Sequence, residues 1–318
     1  MMKRRDFIRQ TGKAAALAAL TAGTGWFFYN RKDETYEVPI LKDIDFEISP
    51  DSGFPGLTLA RDEDHIRALH KALDAIGSIK RFIKTGEKVT IKPNIGWDRA
   101  PEQAATTNPV LVGEMVRLCL EAGAGEVIVS DVPCNDARRT FIRSGIKEAA
   151  EKAGAKVFLP VDDDFIQVDL KGKILTRWPV LRHFIQTDKF INMPIVKQHS
   201  LCTCTIGMKN LYGILGGARN RLHQQIDESI VDLAAFCRPT LVVVDATRVL
   251  MRGGPTGGSL SDVEIHNTVL CATDQVAADA RSSEFLNARA ERISHLTLAE
   301  KSGLGKIDYN FIGYKEVS

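Results

Sequence analysis

Short apolar segments typical of buried strands alternate with longer amphipathic segments typical of helices along most of this chain. Val89 and Ile91 lie at the centre of one apolar run, and the segment after it repeats apolar residues at helical spacing until Gly123. Asn108 can cap that helix and Pro109 suits its first turn. We therefore predict an α/β fold, a doubly wound and mostly parallel sheet with helices on both faces, because parallel strands need crossover connections.

The same patterns predict where the individual elements lie. Strands are expected at residues 87–92, 126–130, 156–159, 189–195, 241–244 and 269–272. Helices are expected at residues 109–122, 138–153, 227–236 and 275–286. Residues 165–178 break the rhythm, because they alternate in part and contain a Lys171-Gly172 turn, which indicates a small inserted hairpin.

The first thirty residues have the pattern of an export signal. The Arg4-Arg5 pair precedes Asp6-Phe7-Ile8 and an apolar run, an order that resembles the twin-arginine signal of bacteria. The apolar run is about 16 residues long, short of the roughly 20 that span a bilayer, so cleavage and retention as an anchor both stay open. We predict a signal segment at residues 1–30, a linker at 31–50 and a single α/β domain at 51–318.

The signal and the overall charge bear on location and partners. Twin-arginine export implies the export machinery as a partner, and the periplasm or cell envelope as the location. The formal net charge of +2 argues against a nucleic-acid partner, because such proteins usually carry a strongly basic face.

Polar residues follow several of the predicted strands. Open α/β sheets bind ligands beyond the carboxyl ends of their strands. The residues expected at these ends are Lys92, Asn94, Asp131, Lys197, His199 and Asp245. Contact with solvent is enough to explain any single polar residue at a strand end. The set as a whole predicts a ligand-binding site.

The segment from Pro194 to His223 is the richest in chemically active side chains. Its cationic and imidazole groups are Lys197, His199, Lys209, Arg219, Arg221 and His223. They can converge on an anion such as a carboxylate or a phosphate, or form a solvated basic loop. We predict catalytic roles for His199, Lys197 and Asp131. We predict ligand binding by Lys92, Asn94, Lys209, Asn210, Arg219 and His223.

The same segment contains the pair Cys202 and Cys204. In an extended segment, residues two apart point to the same side with Cα atoms roughly 6.5–7 Å apart, at or beyond the reach of a disulfide. Two thiolates on one side can bind a soft metal or an iron–sulfur cluster, although two small buried residues are the alternative. Such sites usually need four ligands: one chain offers this pair and a further sulfur from Cys134 or Cys237, and a homodimer that places the pair beside its symmetry mate would supply four.

A glycine-rich stretch, residues 252–259, follows the predicted strand that ends near Asp245. It can cradle an oxyanion, move as a lid or form a plain flexible loop. The sequence contains no His-Glu-x-x-His motif, no Gly-x-Ser-x-Gly motif and no ferredoxin-type cysteine run.

Taken together, several segments resemble the bacterial and archaeal domain-of-unknown-function 362 family. The matching stretches are Val89 to Asn94, Thr107 to Pro109, Asn192 to His199, Lys209 to Gly213, Gly254 to Gly258 and Ala272 to Asp279. Many members of that family carry a ferredoxin-like module with cysteine-rich cluster motifs, and the printed sequence contains no such motif. The family is also distantly similar to the amino-terminal domain of lactate racemase, a likeness of fold from which no function follows.

Two functions follow from these observations, and the sequence does not decide whether the chain is an enzyme. The first is an exported iron–sulfur or metal-binding protein. Its cluster, of the 4Fe-4S type, would be held by Cys202 and Cys204 at a homodimer interface, with a role in redox or structure. The alternative is an enzyme acting on a small anionic substrate at the carboxyl ends of the strands. A solute-binding or scaffold protein is a third possibility.

Overall fold

The computed structural model of this protein describes residues 44–49 and 51–317, so the predicted signal and most of the predicted linker lie outside the described residues. The strands are β1 (Ile44–Asp45), β2 (Leu57–Arg61), β3 (Lys88–Pro93), β4 (Glu126–Ser130), β5 (Lys156–Phe158), β6 (Phe165–Asp169), β7 (Arg177–Leu181), β8 (Lys189–Met193), β9 (Ile195–His199), β10 (Thr203–Thr205), β11 (Cys237–Arg238), β12 (Leu241–Leu250), β13 (Val263–Ala272) and β14 (Tyr314–Val317). The α-helices are α1 (His65–Ala75), α2 (Pro109–Glu121), α3 (Ala137–Arg143), α4 (Ile146–Lys152), α5 (Gly207–Asn210), α6 (Ile226–Phe236), α7 (Gln275–Ser283) and α8 (Ser294–Lys301).

The main sheet of the described chain has the strand order β14-β2-β13-β12-β8-β3-β4-β5, with β9 paired to β12 and β10 paired to β9. The pairs from β12 through β8, β3 and β4 to β5 are parallel, as are β14–β2 and β9–β12. β13 runs antiparallel to both of its neighbours, β2 and β12, and β10 runs antiparallel to β9. The prediction of a mostly parallel α/β sheet is thus confirmed.

Helices cover both faces of this sheet, and β12 shows why. Val242 and Val244 pack into one apolar cluster together with residues of α5, α6, α7 and α8. Leu241 and Val243 pack into another cluster, with residues of α1, α2, α3 and α4. Because successive side chains of a strand point to opposite faces, one apolar run supplies both layers of the core.

The local details of the predicted elements are partly confirmed. Asn108 caps α2, its Oδ1 accepting a hydrogen bond from the amide of Val110 at 3.1 Å. The prediction of one helix at residues 138–153 is wrong: Gly145 adopts a φ of +71°, which separates α3 from α4. Residues 165–181 form the antiparallel pair β6–β7, as the hairpin prediction requires.

Two predicted strands are longer than expected. β12 extends beyond residue 244 and β13 begins before residue 269, and the two strands form a hairpin whose connection contains a short 3-10 helix, Leu260–Asp262, and no α-helix. Asp245 therefore lies inside β12 rather than at its end, and its carboxylate accepts hydrogen bonds from the amides of Asn108 and Thr247. Its role is to hold the start of α2 against the sheet. In the part of the chain that the structure describes, no helix is both long and apolar enough to cross a membrane.

Candidate functional site

A cavity of about 490 Å³ lies at the carboxyl ends of β3, β4 and β9. It is lined by every residue predicted to be catalytic or to bind a ligand, namely Lys92, Asn94, Asp131, Lys197, His199, Lys209, Asn210, Arg219 and His223. Parallel strands bring their carboxyl ends to one edge of the sheet, so residues far apart in sequence meet there. Cys202, Cys204 and the predicted cation Arg221 do not line it.

Lys92 and Asp131 form a buried ion pair between the ends of β3 and β4. Nζ of Lys92 lies 2.8 Å from Oδ1 of Asp131 and also donates to the backbone oxygen of Pro93 and to Oδ1 of Asn210, both at 3.1 Å. Burial lowers the pKa of Lys92, and the charge of Asp131 opposes that shift. The three acceptors match the three N–H groups of an ammonium ion, so they favour the charged form of Lys92.

Lys197, at the cavity end of β9, has a different set of partners. Its Nζ donates to Oδ1 of Asn94 at 3.0 Å and to the backbone oxygen of Ala105 at 2.7 Å. Among the described residues it forms no ion pair, and burial lowers its pKa to about 7. Near neutral pH, a large fraction of this lysine is therefore a neutral amine.

Two asparagines link the lysines. Oδ1 of Asn210 accepts hydrogen bonds from Lys92 and, at 2.9 Å, from Nδ2 of Asn94, whose own Oδ1 accepts from Lys197. Nδ2 of Asn210 donates to Oδ1 of Asn192 at 2.8 Å. This network of hydrogen-bonded side-chain amides fixes the orientation of each asparagine, since every amide oxygen in it accepts from a donor.

Lys209 offers a positive charge to the cavity. Its Nζ lies 3.5 Å from the centroid of the Tyr212 ring, a cation–π contact. Nowhere in the described chain does this ammonium have a hydrogen-bond acceptor or a carboxylate partner. Burial lowers its pKa to about 8. Sequence reasoning missed Tyr212, although the three-residue spacing on a helical turn is a signal for such a contact.

Two histidines face the cavity with opposite hydrogen-bonding roles. Nδ1 of His199 accepts from the amide of Leu201 at 3.1 Å, so its ring proton is on Nε2. Nδ1 of His223 lies 3.2 Å from the backbone oxygen of Asn220 and donates to it, which leaves Nε2 as an acceptor. Burial lowers the pKa of His223. Burial also lowers the pKa of His199, to about 3, and the positive charge of Lys209 adds to that shift. Both rings are neutral at pH 7.

Arg219 ties the loop after α5 to the end of β4. Its guanidinium donates to the backbone oxygens of Val132 and Pro133 at 2.8 Å and to that of Tyr212 at 3.1 Å. These partners are neutral, so the full charge of Arg219 acts at the cavity wall.

The glycine-rich loop at residues 252–259 reaches the same cavity, where Pro255 and Thr256 form part of the wall. The amide of Gly254 donates to Oε1 of Gln198 at 3.0 Å, next to His199. Cys134, predicted only as a further sulfur ligand, is exposed and also lines the cavity.

Cys202 and Cys204 do not have the geometry expected of them. Thr203 has a φ of +71°, and the amide of Cys204 donates to the backbone oxygen of Cys202 at 2.8 Å, so the segment turns instead of running extended. The expectation of an extended segment from Cys202 to Cys204 is therefore wrong. Both are buried in an apolar cluster, and the thiol of Cys202 donates to the backbone oxygen of Cys204.

This placement does not fit a cluster shared between two copies. A shared cluster needs sulfur atoms at the surface, but Cys202 and Cys204 are 4% and 0% exposed. Burial raises the pKa of Cys202 to about 12 and that of Cys204 well above its usual value, so both are neutral thiols. In residues 51–317, no group of three or more His, Cys, Asp or Glu side chains is arranged to hold a metal ion. The iron–sulfur cluster stays a prediction.

The chain is similar to a protein family, to a relative in sequence and to two solved structures. The sequence matches the model of the family described as "Domain of unknown function (DUF362)" over residues 89–284, which include every cavity residue named above. The thylakoid-associated protein sll1697 of Synechocystis is 25% identical over 253 residues, which cover 75% of each chain. The lactate racemase apoprotein from Thermoanaerobacterium thermosaccharolyticum has a similar fold, with a TM-score of 0.44, 12% identity and coverage of 75% of this chain and 58% of that one.

A protein from Thermotoga maritima gives a similar result, with a TM-score of 0.38, 11% identity and coverage of 75% of this chain and 59% of that one. This chain therefore spans less than two thirds of either of these two structures.

Proposed function

This chain belongs to the DUF362 family, and we propose that it is an enzyme that binds a small anionic substrate in the cavity and transfers a proton on it. One observation carries the proposal: among the described residues, four cationic side chains line the cavity and a single carboxylate does. The cations are Lys92, Lys197, Lys209 and Arg219, and the carboxylate is Asp131. Asp131 is paired with Lys92, so among the described residues Lys209, Arg219 and the protonated fraction of Lys197 lack a counter-charge.

A bound carboxylate or phosphate would supply that counter-charge. Lys209 is the best candidate to contact it, because its ammonium is buried beside Tyr212 and has no acceptor among the described residues. A hydrogen bond between two charged groups is stronger than one between neutral groups, and more so away from water. Arg219 adds positive potential at the wall while its backbone partners keep it in place.

Proton transfer needs groups that hold or lose a proton near neutral pH. Lys197 is such a group, because burial lowers its pKa to about 7. The neutral ring of His223 presents a lone pair at Nε2, and that of His199 presents an N–H. An N–H aimed at a substrate oxygen stabilises negative charge that develops there when a neighbouring proton is removed.

Calorimetric titration with inorganic phosphate and with pyruvate at pH 7.5 tests the binding step. We expect wild type to bind at least one of them, and Lys209→Met to bind it about 10- to 100-fold more weakly, the equivalent of about 1.5–3 kcal/mol for a charged hydrogen bond. Lys80→Met, which removes an exposed lysine, is the matched control. Equal affinity of wild type and Lys209→Met would refute the proposal.

The catalytic step separates an enzyme from a solute-binding protein. Loss of the methyl proton signal of pyruvate in deuterated water, followed by NMR, measures removal of a proton next to a carbonyl group. We expect the protein to accelerate this exchange, and the double variant Lys197→Met, His223→Asn to lose the acceleration. Binding without any acceleration would instead identify a solute-binding protein.

We also propose that the protein acts in the periplasm or cell envelope after twin-arginine export. The Arg4-Arg5 pair and the apolar run after it support this location. Fractionation of a bacterial host that expresses the full chain tests it. The double variant Arg4→Lys, Arg5→Lys should stay in the cytoplasm, whereas Lys13→Arg should be exported like wild type.

A further inference from the structure

We propose that Lys197 is a nucleophile that forms a Schiff base with its substrate, so that the cavity takes small carboxylates that carry a ketone or aldehyde group. The inference rests on the proposed function, because it uses the same cavity to hold the carboxylate. It adds a covalent step and a substrate class that anion binding alone does not require.

The geometry that points to this role is the difference between two buried lysines in one cavity. Nζ of Lys92 has three acceptors, which match the three N–H groups of an ammonium ion. Within the described part of the chain, Nζ of Lys197 has two acceptors, Oδ1 of Asn94 and the backbone oxygen of Ala105. Two acceptors match the two N–H groups of a neutral amine, whose lone pair then points away from both of them.

The surroundings of Lys197 favour that neutral amine. The side chain is only 1% exposed, and no carboxylate of the described chain is paired with it. Burial lowers its pKa to about 7 against the opposing electrostatic effects of Cys134 and Asp131, and the positive charges of Lys209 and Lys92 act in the same direction as burial. Desolvation and a neighbouring cation are the two usual ways in which proteins activate a lysine for attack on a carbonyl carbon.

The rest of the cavity suits an oxo acid. The ammonium of Lys209, which has no acceptor among the described residues, would pair with the carboxylate, and Nε2–H of His199 would donate to the carbonyl oxygen. A volume of about 490 Å³ accommodates a small molecule. A substrate that lacks the carbonyl group would leave Lys197 without a reaction partner.

The covalent step balances without an oxidant or a reductant. The lone pair of Nζ forms a bond to the carbonyl carbon while the π electrons of the C=O bond move to oxygen. The oxygen takes up one proton from the attacking amine and one from solvent, and leaves as water. The product is an iminium ion between the substrate carbon and Nζ of Lys197. Because the iminium withdraws electrons, it acidifies the neighbouring C–H, which suits the lone pair of His223 as the base.

Reductive trapping on the full-length protein tests the inference. The protein is incubated with pyruvate or glyoxylate at pH 7.5, treated with sodium cyanoborohydride, and analysed by intact mass and peptide mapping. We expect one reduced adduct per chain, on Lys197, that is absent without the oxo acid. Lys80→Met should still form it, and Lys197→Met should not.

Calorimetry with the same two acids, run in parallel, keeps the two proposals apart. Binding of an oxo acid without an adduct on Lys197 would overturn the Schiff base and leave the anion-binding proposal standing. Adducts spread over exposed lysines without preference for Lys197 would overturn the Schiff base as well. Absence of binding by both acids would overturn this inference, and absence of phosphate binding in addition would overturn the proposed function.

Discussion

Gly213 lies so close to Asp131 that a Cβ atom at position 213 would stand 1.8 Å from Oδ1 of the Asp131 carboxylate. The same atom would stand 2.6 Å from Nζ of Lys92. The backbone oxygen of Gly213 accepts a hydrogen bond from the amide of Val132 at 2.8 Å, so this residue cannot simply move away. The buried ion pair therefore needs a residue without a side chain here.

Replacing Gly213 with alanine should consequently destabilise the protein. We expect Gly213→Ala to lower the free energy of unfolding by about 1–3 kcal/mol or more, because the new methyl group overlaps a buried and charged pair. Urea unfolding followed by circular dichroism measures this change. Gly53→Ala, at an exposed loop position, should unfold at the wild-type midpoint. An unchanged midpoint for Gly213→Ala would show that the site is less tightly packed than described.

Anion binding should be coupled to proton uptake. The pKa values of Lys197 and Lys209, about 7 and about 8, lie below the ordinary value for lysine because burial disfavours their charged forms. A bound anion favours those charged forms and so raises both values. At pH 8, binding should therefore take up protons, and affinity should fall as the pH rises further.

Calorimetry in two buffers with different ionisation enthalpies measures the number of protons taken up. Lys209→Met should reduce that number, whereas Lys80→Met should not. An identical binding enthalpy in both buffers at pH 8 would contradict the coupling.

His199 should make the protein sensitive to acid. Its folded-state pKa of about 3 lies below that of an unfolded histidine, so between about pH 3 and 6.5 the unfolded chain binds a proton that the folded chain does not. The free energy of unfolding should fall as the pH is lowered through this window, by up to about 1.4 kcal/mol per pH unit from this group. His199→Asn should show a correspondingly shallower pH dependence in urea unfolding at pH 4 to 7. An unaltered slope would mean that the ring is not buried as a neutral group.

The cysteines should differ sharply in reactivity. Cys134 is exposed, whereas Cys202 and Cys204 are buried with raised pKa values. Because the thiolate is the reactive form, we expect the native protein to show one fast thiol towards a disulfide reagent, and Cys134→Ser to abolish it. Rapid reaction of Cys202 in the Cys134→Ser background would count against the burial described.

An anaerobic absorption spectrum, with iron and sulfide analysis, checks the iron–sulfur prediction. Broad visible absorption that is lost in Cys202→Ser would establish a cluster held by this pair, and would require the segment around Thr203 to rearrange. A colourless protein without iron would contradict the cluster and leave both cysteines as core residues.

Local patterns in the sequence determined most of the secondary structure. Apolar periodicity, the Asn108 cap and the glycine at position 123 depend on neighbours within a few residues, so they are visible in the chain itself. The residues at strand ends can also be identified from the sequence, because a parallel sheet brings the carboxyl ends of its strands to one edge whatever the order of the strands. Lys92, Asp131 and Lys197 could be predicted on that basis.

Only the tertiary structure decided what each of these groups does. Lys92 and Lys197 look alike in sequence, yet one has a carboxylate partner and the other has an asparagine and a backbone oxygen. The segment Cys202 to Cys204 looked extended until Thr203 proved to have a positive φ. Charge state and accessibility depend on burial and on partners distant in sequence, and no local pattern encodes these, because the contacts that set them form only when the whole sheet is assembled.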